Sequence, residues 1–317
     1  MMFTNKYEVE LLEFDSPELS AVNCARVSFA KQTDQITEKD KRLLKYLKEH
    51  KHNSVFYQYF HYFSLNDRTA FDNFKKLIKE SQPFGYEMME RGCYQNGKFF
   101  KVNDYIYNRC KNLIDKFIEE GKFVKKDKDI FNNECYIEAC IANKLEVDGI
   151  IDYPALRMST ITTRVSIPMF IKNQIIRHSS GMQFNEVSRR YTAENLKFFD
   201  FGGRYRKQSQ DNKQGSIEDE YIADFYPMQG AVNGKDLAEK VINYYNEMVK
   251  KGACREQVRA NLPQTMYTDM IMTFNLNTLI KMIKERTQKD TQKETRDFAE
   301  QVKRVVVDKY PILKEVF

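Results

Sequence analysis

Hydrophobic positions recur along the chain with two different periods. In "YEVELLEF" (7–14) apolar and polar residues alternate, which predicts an opening strand. The next stretch, "DSPELSAVNCARVSFA", predicts a helix that Asp15 or Ser16 can cap, with Pro17 suited to its first turn. In "TEKDKRLLKYLKEHKH" Leu43, Leu44 and Leu47 fall at helical spacing and the charges lie elsewhere, so an amphipathic helix starts near Thr37. "VFYQYFHYFSL" predicts an aromatic strand.

From about 66 to 157 the character changes to Lys, Asn, Phe and Tyr. One helix is predicted in "NDYIYNRCKNLIDKFIEEG", where Ile106, Cys110, Leu113, Ile114, Phe117 and Ile118 form a stripe and Gly121 is a stop signal. A second is predicted in "DIFNNECYIEACIANKL". The segment has no internal repeat and no catalytic spacing, and reads as a mainly helical insertion in a single domain spanning 1–317.

Beyond it, "STITTRVSI" predicts a strand and Pro168 opens a helix, "PMFIKNQIIRH". In that helix Gln174, Arg177 and His178 share one face, and the chain leaves it by Gly181. "YRKQSQDNKQGS" reads as a polar loop. "GKDLAEKVINYYNEMVKKG" predicts an amphipathic helix with Leu237, Val241, Tyr244 or Tyr245, and Met248 on its stripe. "CREQVRANLP" continues as a short helix closed by Pro263, and a long helical region runs from Thr278, with Arg286 and Asp290 four apart.

Composition narrows the function. The excess of 51 basic over 45 acidic residues is mild and suits phosphate-bearing small molecules as well as nucleic acid. No recognisable RNA-binding module pattern is present, so nucleic acid is not the expected partner. The six cysteines form no CxxC pair, no apolar run approaches a membrane span, and the charged N-terminus does not read as a signal peptide, which together predict a cytoplasmic protein with reduced thiols. Four histidines without an HExxH pattern predict no metal. Cys24 and Cys254 each lie near an arginine, but a small buried thiol on a helix face is the expected role. Without a GxGxxG or P-loop pattern, phosphate must be held by side chains, and arginine forks suit it. The candidates are Arg177, Arg189, Arg190, Arg204, Arg206, Arg255, Arg259 and Arg286; Arg204, Arg206, Arg255 and Arg259 read as salt-bridge residues.

The stretch "IIRHSSGMQFNEVSRRYT" (175–192) resembles the signature of the flavin-dependent thymidylate synthases, through Arg177-His178 and "NEVSRRY" with Gln174 ahead of them. "ARVSFAK", "LLKYLKEHKHNSVF", "RYRKQSQDNKQGS" and "CREQVRANLPQTMYTDMIMTFNLNTL" resemble further segments of that family in the right order. The chain departs from the pattern in five ways. Ser179 replaces the third residue, arginine, and eight residues rather than seven separate it from Ser188. Asn277 stands where arginine is common, on the flavin side, and Asp290 where histidine is common. The turn after His52 lacks its proline.

The resemblance implies an α/β (α+β) fold, a mixed antiparallel sheet with long helices, assembled as a homotetramer with active sites shared between chains. It implies reductive methylation of deoxyuridylate (dUMP) to thymidylate, with methylenetetrahydrofolate as carbon donor, FAD as hydride relay and NADPH as reductant. It assigns dUMP to Gln174, Arg177, Glu186, Ser188, Arg190, Arg286 and Gln292, with Arg286 and Ser188 at the chemistry. It assigns FAD to His52, Arg177, His178, Asn185, Glu186 and Asn275. The 66–157 segment is expected to cap the outer surface and leave these sites intact. The altered signature keeps two alternatives open: a relative that transfers a hydroxymethyl group to a pyrimidine nucleotide, and a non-catalytic nucleotide- or RNA-binding relative.

Overall fold

The strand Tyr267–Asn275 is the spine of the molecule. The computed structural model, which describes residues 2–29, 31–80, 93–147, 150–192, 196–211, 215–223 and 233–317, pairs it antiparallel with Thr160–Pro168 on one side and Met182–Glu186 on the other. Glu8–Leu12 extends the sheet beyond Thr160–Pro168. Met270, Met272 and Phe274 point into the main core, and Ile271 into a second cluster with Val22, Cys24, Leu44 and Phe56. Both faces are therefore covered, and the apolar run "MIM" carries no alternation for a sequence reading to catch. That is why this strand was not foreseen.

Helices Leu276–Arg286 and Lys293–Lys309 cover the main-core face through Leu279, Ile283, Phe298, Val302 and Val306. Helix Pro17–Val27 covers the other face; Ser16 Oγ accepts from Leu19 N at 3.1 Å, and Pro17 occupies the first turn as expected. Thr37 and Asp40 form a capping box at the start of Glu38–Glu49.

The 66–157 segment contains helices where they were expected, among them Lys111–Glu119 and Glu134–Ala142, and a further helix, Arg68–Glu80, that was not predicted. It also contains strands that were not expected. Cys93–Asn96, Phe99–Asn103 and Phe123–Lys126 join Phe60–Leu65 in a four-stranded antiparallel sheet around Phe63, Phe71, Phe74, Phe100 and Phe123. The single helix predicted over 103–121 is two, Asp104–Arg109 and Lys111–Glu119, broken at Cys110. Gly121 ends the second with φ +68°. Lys101 Nζ donates to Met158 O at 3.0 Å, and Asn132 clasps the backbone of Thr160, tying the segment to the main sheet.

Three further expectations change. The "polar loop" is largely a hairpin, Arg204–Gln208 with Ser216–Ala223, although Asn212, Lys213 and Gln214 lie outside the described residues. Few of its side chains are buried, so hydrophobic patterning could not reveal it. Helix Gly234–Lys250 buries Ala238, Ile242 and Tyr245, whereas Leu237 and Tyr244 are exposed, so the stripe is rotated from the predicted one. Cys254 is exposed, while Cys24 is buried and burial pushes its thiol pKa well up. Among the described residues no helix is long and apolar enough to cross a membrane.

Candidate active site

Helix Met169–Ile175 stops earlier than the sequence pattern suggests, so Arg177 and His178 lie in the turn that follows it. The turn closes at Gly181, whose φ of +80° favours glycine. A Cβ there would stand 1.8 Å from Asn275 Nδ2 and 2.7 Å from Thr278 Oγ1. The close approach is held by Asn275 N donating to Gly181 O at 2.8 Å and Thr278 Oγ1 donating to Ser180 O at 2.5 Å. Asn275 also caps helix Leu276–Arg286, its Oδ1 accepting from Thr278 N at 2.8 Å. One asparagine thus locks the signature turn to the helix that carries Arg286.

Arg286 Nε donates to His178 Nε2 at 2.9 Å. Burial and the Arg286 charge push the His178 pKa down, against a smaller upward pull from Glu285 at 3.8 Å. The imidazole is therefore neutral and accepts from the guanidinium, which leaves the terminal amino groups of Arg286 for a ligand. Arg177, His178 and Asn275 line a cavity of about 660 Å³ together with Gln183, Asn277 and Lys281. Asn277, which departs from the arginine common on the flavin side, lines this cavity but is 2% exposed: it donates to Asp152 Oδ1 at 2.9 Å and accepts from Tyr153 N at 3.2 Å. Its amide is engaged in joining two segments. The 66–157 segment does more than cap the outer surface, because Lys75, Lys101 and Arg157 line the same cavity.

A second group forms around Gln292. Gln174 Nε2 donates to Gln292 Oε1 at 2.7 Å, and Gln292 Nε2 donates to Glu294 Oε2 at 3.0 Å. Arg206 forks onto Glu294 at 2.7 and 2.9 Å. Burial raises the Glu294 pKa, but the bonds from Arg206 and the backbone outweigh it and hold the carboxyl below its usual value. Gln292, Glu294 and Arg206 line a cavity of about 920 Å³ with Tyr7, Tyr205 and Tyr221. Arg206, read from sequence as a salt-bridge residue, is one, but its pair is largely buried and wired to a predicted ligand residue.

The third group follows the strand Met182–Glu186. Alternation puts Asn185 on one face and Glu186 on the other. Asn185 Oδ1 accepts from Gln58 Nε2 at 3.0 Å and its Nδ2 donates to Ser54 Oγ at 3.3 Å, beside His52, which precedes the turn Asn53–Phe56. Glu186 instead meets Lys172 Nζ at 2.7 and 2.9 Å. Ser188 N donates to Ser28 O at 3.2 Å, and Arg190 pairs with Glu256 at 3.4 Å. Among the described residues, no hydrogen bond or ion pair joins Ser188 or Arg190 to Gln174, Arg286 or Gln292. Lys172, Gln58 and Ser28 were missed from sequence; a lone lysine between Ile171 and Ile175 on a helix was the available signal for the first.

Fold and site together define an α+β protein in which arginines, glutamines and a neutral histidine line cavities of ligand size. The model of the family described as "Thymidylate synthase complementing protein" matches residues 104–312, more than half of the chain, and the chain belongs to that family. The flavin-dependent thymidylate synthase of Aquifex aeolicus (strain VF5) is 30% identical over 305 residues, covering 90% of this chain and 92% of that one. That of Wolbachia pipientis wMel is 30% identical over 250 residues, covering 77% and 80%. That of Dictyostelium discoideum is 32% identical over 152 residues, covering 48% and 49%. The family match opens at Asp104, inside the 66–157 segment.

Proposed function

We propose that this chain is a flavin-dependent thymidylate synthase, converting dUMP to thymidylate with methylenetetrahydrofolate as carbon donor and NADPH as reductant. The observation that carries the reading is the Arg286–His178 contact beside a cavity lined by Arg177 and Asn275, within a chain of this family. The cavity fits a flavin dinucleotide in chemistry: it offers cations and amides, and about 660 Å³ lies within the roughly 300–1,000 Å³ usual for ligand pockets. A bound FAD would supply the hydride relay. Arg177, His178 and Asn275 would hold it.

The chain's own residues supply fixed charge. Arg286 is anchored through Nε, so its remaining donors are preorganised for a pyrimidine carbonyl that gains negative charge as C5 is activated. A protonated His178 would repel Arg286, and the lowered pKa of the ring avoids this. Gln174 and Gln292 orient one another for the nucleotide. Ser188 acts as a binding group and not as a nucleophile, since its Oγ has no histidine beside it and accepts only from Arg190 N, at 3.4 Å, among the described residues.

The residues assigned to dUMP fall into three groups that no hydrogen bond or ion pair joins among the described residues, which supports sites shared between copies in a homotetramer. The exposed rings of Phe29 and Tyr191 stack at 5.4 Å beside the 185–191 loop and offer an apolar surface for a neighbouring copy. Anaerobic absorbance spectroscopy tests the reading. Added FAD should bind, NADPH should bleach it, and dUMP should change the rate; a protein that binds no flavin removes the proposal.

A further inference from the structure

Cations outnumber carboxylates in the wall of the 660 Å³ cavity. Lys75, Lys101, Arg157, Arg177 and Lys281 line it, and Glu285 is the one carboxylate among the described lining residues. Asp152 neutralises part of this charge, pairing with Lys281 at 2.7 Å and Arg157 at 3.0 Å. Lys75, Lys101 and Arg177 have no carboxylate partner among the described residues. Ser179 and Asn277 add no charge to this wall.

Lys101 is 3% exposed, with Nζ donating to Met158 O at 3.0 Å and standing 4.8 Å from the Phe60 ring centroid. Leaving an ammonium in such a place without an anion is costly, and burial lowers its pKa well below the usual value. A nearby phosphate reverses that balance. Three of the five cations come from the 66–157 segment, which thus supplies charge and not only wall area.

We propose that the 66–157 segment is part of the cofactor site, with Lys75, Lys101 and Arg157 binding the phosphate-bearing end of the flavin in the cavity they line together with Arg177. This rests on the flavin reading above. The segment is then a determinant of which flavin is held: the dinucleotide, with its pyrophosphate, over the phosphate-free vitamin. Lys281 and Arg157 share Asp152, while Lys75 contributes from a different element, helix Arg68–Glu80.

The test uses the full chain and fluorescence titration with FAD and with riboflavin, which lacks phosphate. Wild type should bind FAD at least tenfold more tightly than riboflavin, with FAD affinity falling as salt rises. Lys75→Met/Arg157→Met should weaken FAD tenfold or more and leave riboflavin within twofold. Thermal melting checks that the variant is folded; if it is not, Lys75→Met alone, at a half-buried position, should still weaken FAD about threefold. A folded variant that keeps FAD within twofold of wild type, or loses both flavins equally, overturns the inference and leaves the function standing. Wild type that binds neither flavin overturns the function and the inference together.

Discussion

Replacing Gly181 with alanine tests the coupling between the signature turn and helix Leu276–Arg286. The backbone φ of +80° costs an L-residue about 1–2 kcal/mol. The new Cβ would also lie 1.8 Å from Asn275 Nδ2, so the asparagine side chain must leave, and losing such a cap costs about 1 kcal/mol more. Gly181→Ala should therefore destabilise by about 2–3 kcal/mol. Asn275→Ala alone should cost about 1 kcal/mol. In the double variant the cap is lost only once, so the two effects should fail to add by about 1 kcal/mol. Urea unfolding of the four proteins gives the cycle, and FAD titration reports the cavity. Strict additivity, or Gly181→Ala matching wild type in both measurements, would refute the close approach of turn and helix.

Arg286→Met should lower turnover by about a hundred- to a thousandfold, the usual loss of a donor to developing charge, while FAD affinity is held; an unaltered rate would remove Arg286 from the chemistry. His178 carries a depressed pKa in the fold, so the unfolded chain takes up a proton near the ordinary value of about 6.5 while the folded chain does not. Its contribution to stability is present above that pH and is lost as pH falls towards the folded value. Unfolding measured from pH 7.5 down to 5 should show this slope, and His178→Gln should flatten it. Glu294→Gln strands the largely buried Arg206 and should cost about 3–5 kcal/mol, with Arg206→Met/Glu294→Met recovering most of it; equal losses in both would show that the pair is not the cause.

Much of the fold was legible where side-chain pattern and burial agree. Ser16, Pro17 and Thr37 marked helix starts because caps are local chemistry. The central strand Tyr267–Asn275 was hidden, since a strand covered on both faces loses its alternation. The hairpin 204–223 was hidden for the opposite reason, being mostly polar and tied down by Arg206 and Arg296 to Glu294 and Glu218. At the site, the resemblance singled out Arg177, His178 and Asn275, which the structure brings to one cavity, and Gln174 and Gln292, which it joins by a hydrogen bond. It could not show that Asn185 and Glu186, adjacent in sequence, face opposite ways. Nor could it show that Lys75, Lys101 and Arg157 reach the cavity from a segment with no recognisable motif. Such contacts arise from tertiary packing between distant stretches.

The most direct test of the central claim is the product. Purified protein is incubated with dUMP, methylenetetrahydrofolate and NADPH, with and without FAD, and the nucleotide is identified by mass spectrometry. The account predicts thymidylate that depends on flavin. Unchanged dUMP in a protein that has bound FAD, or a hydroxymethylated nucleotide in place of thymidylate, would contradict it.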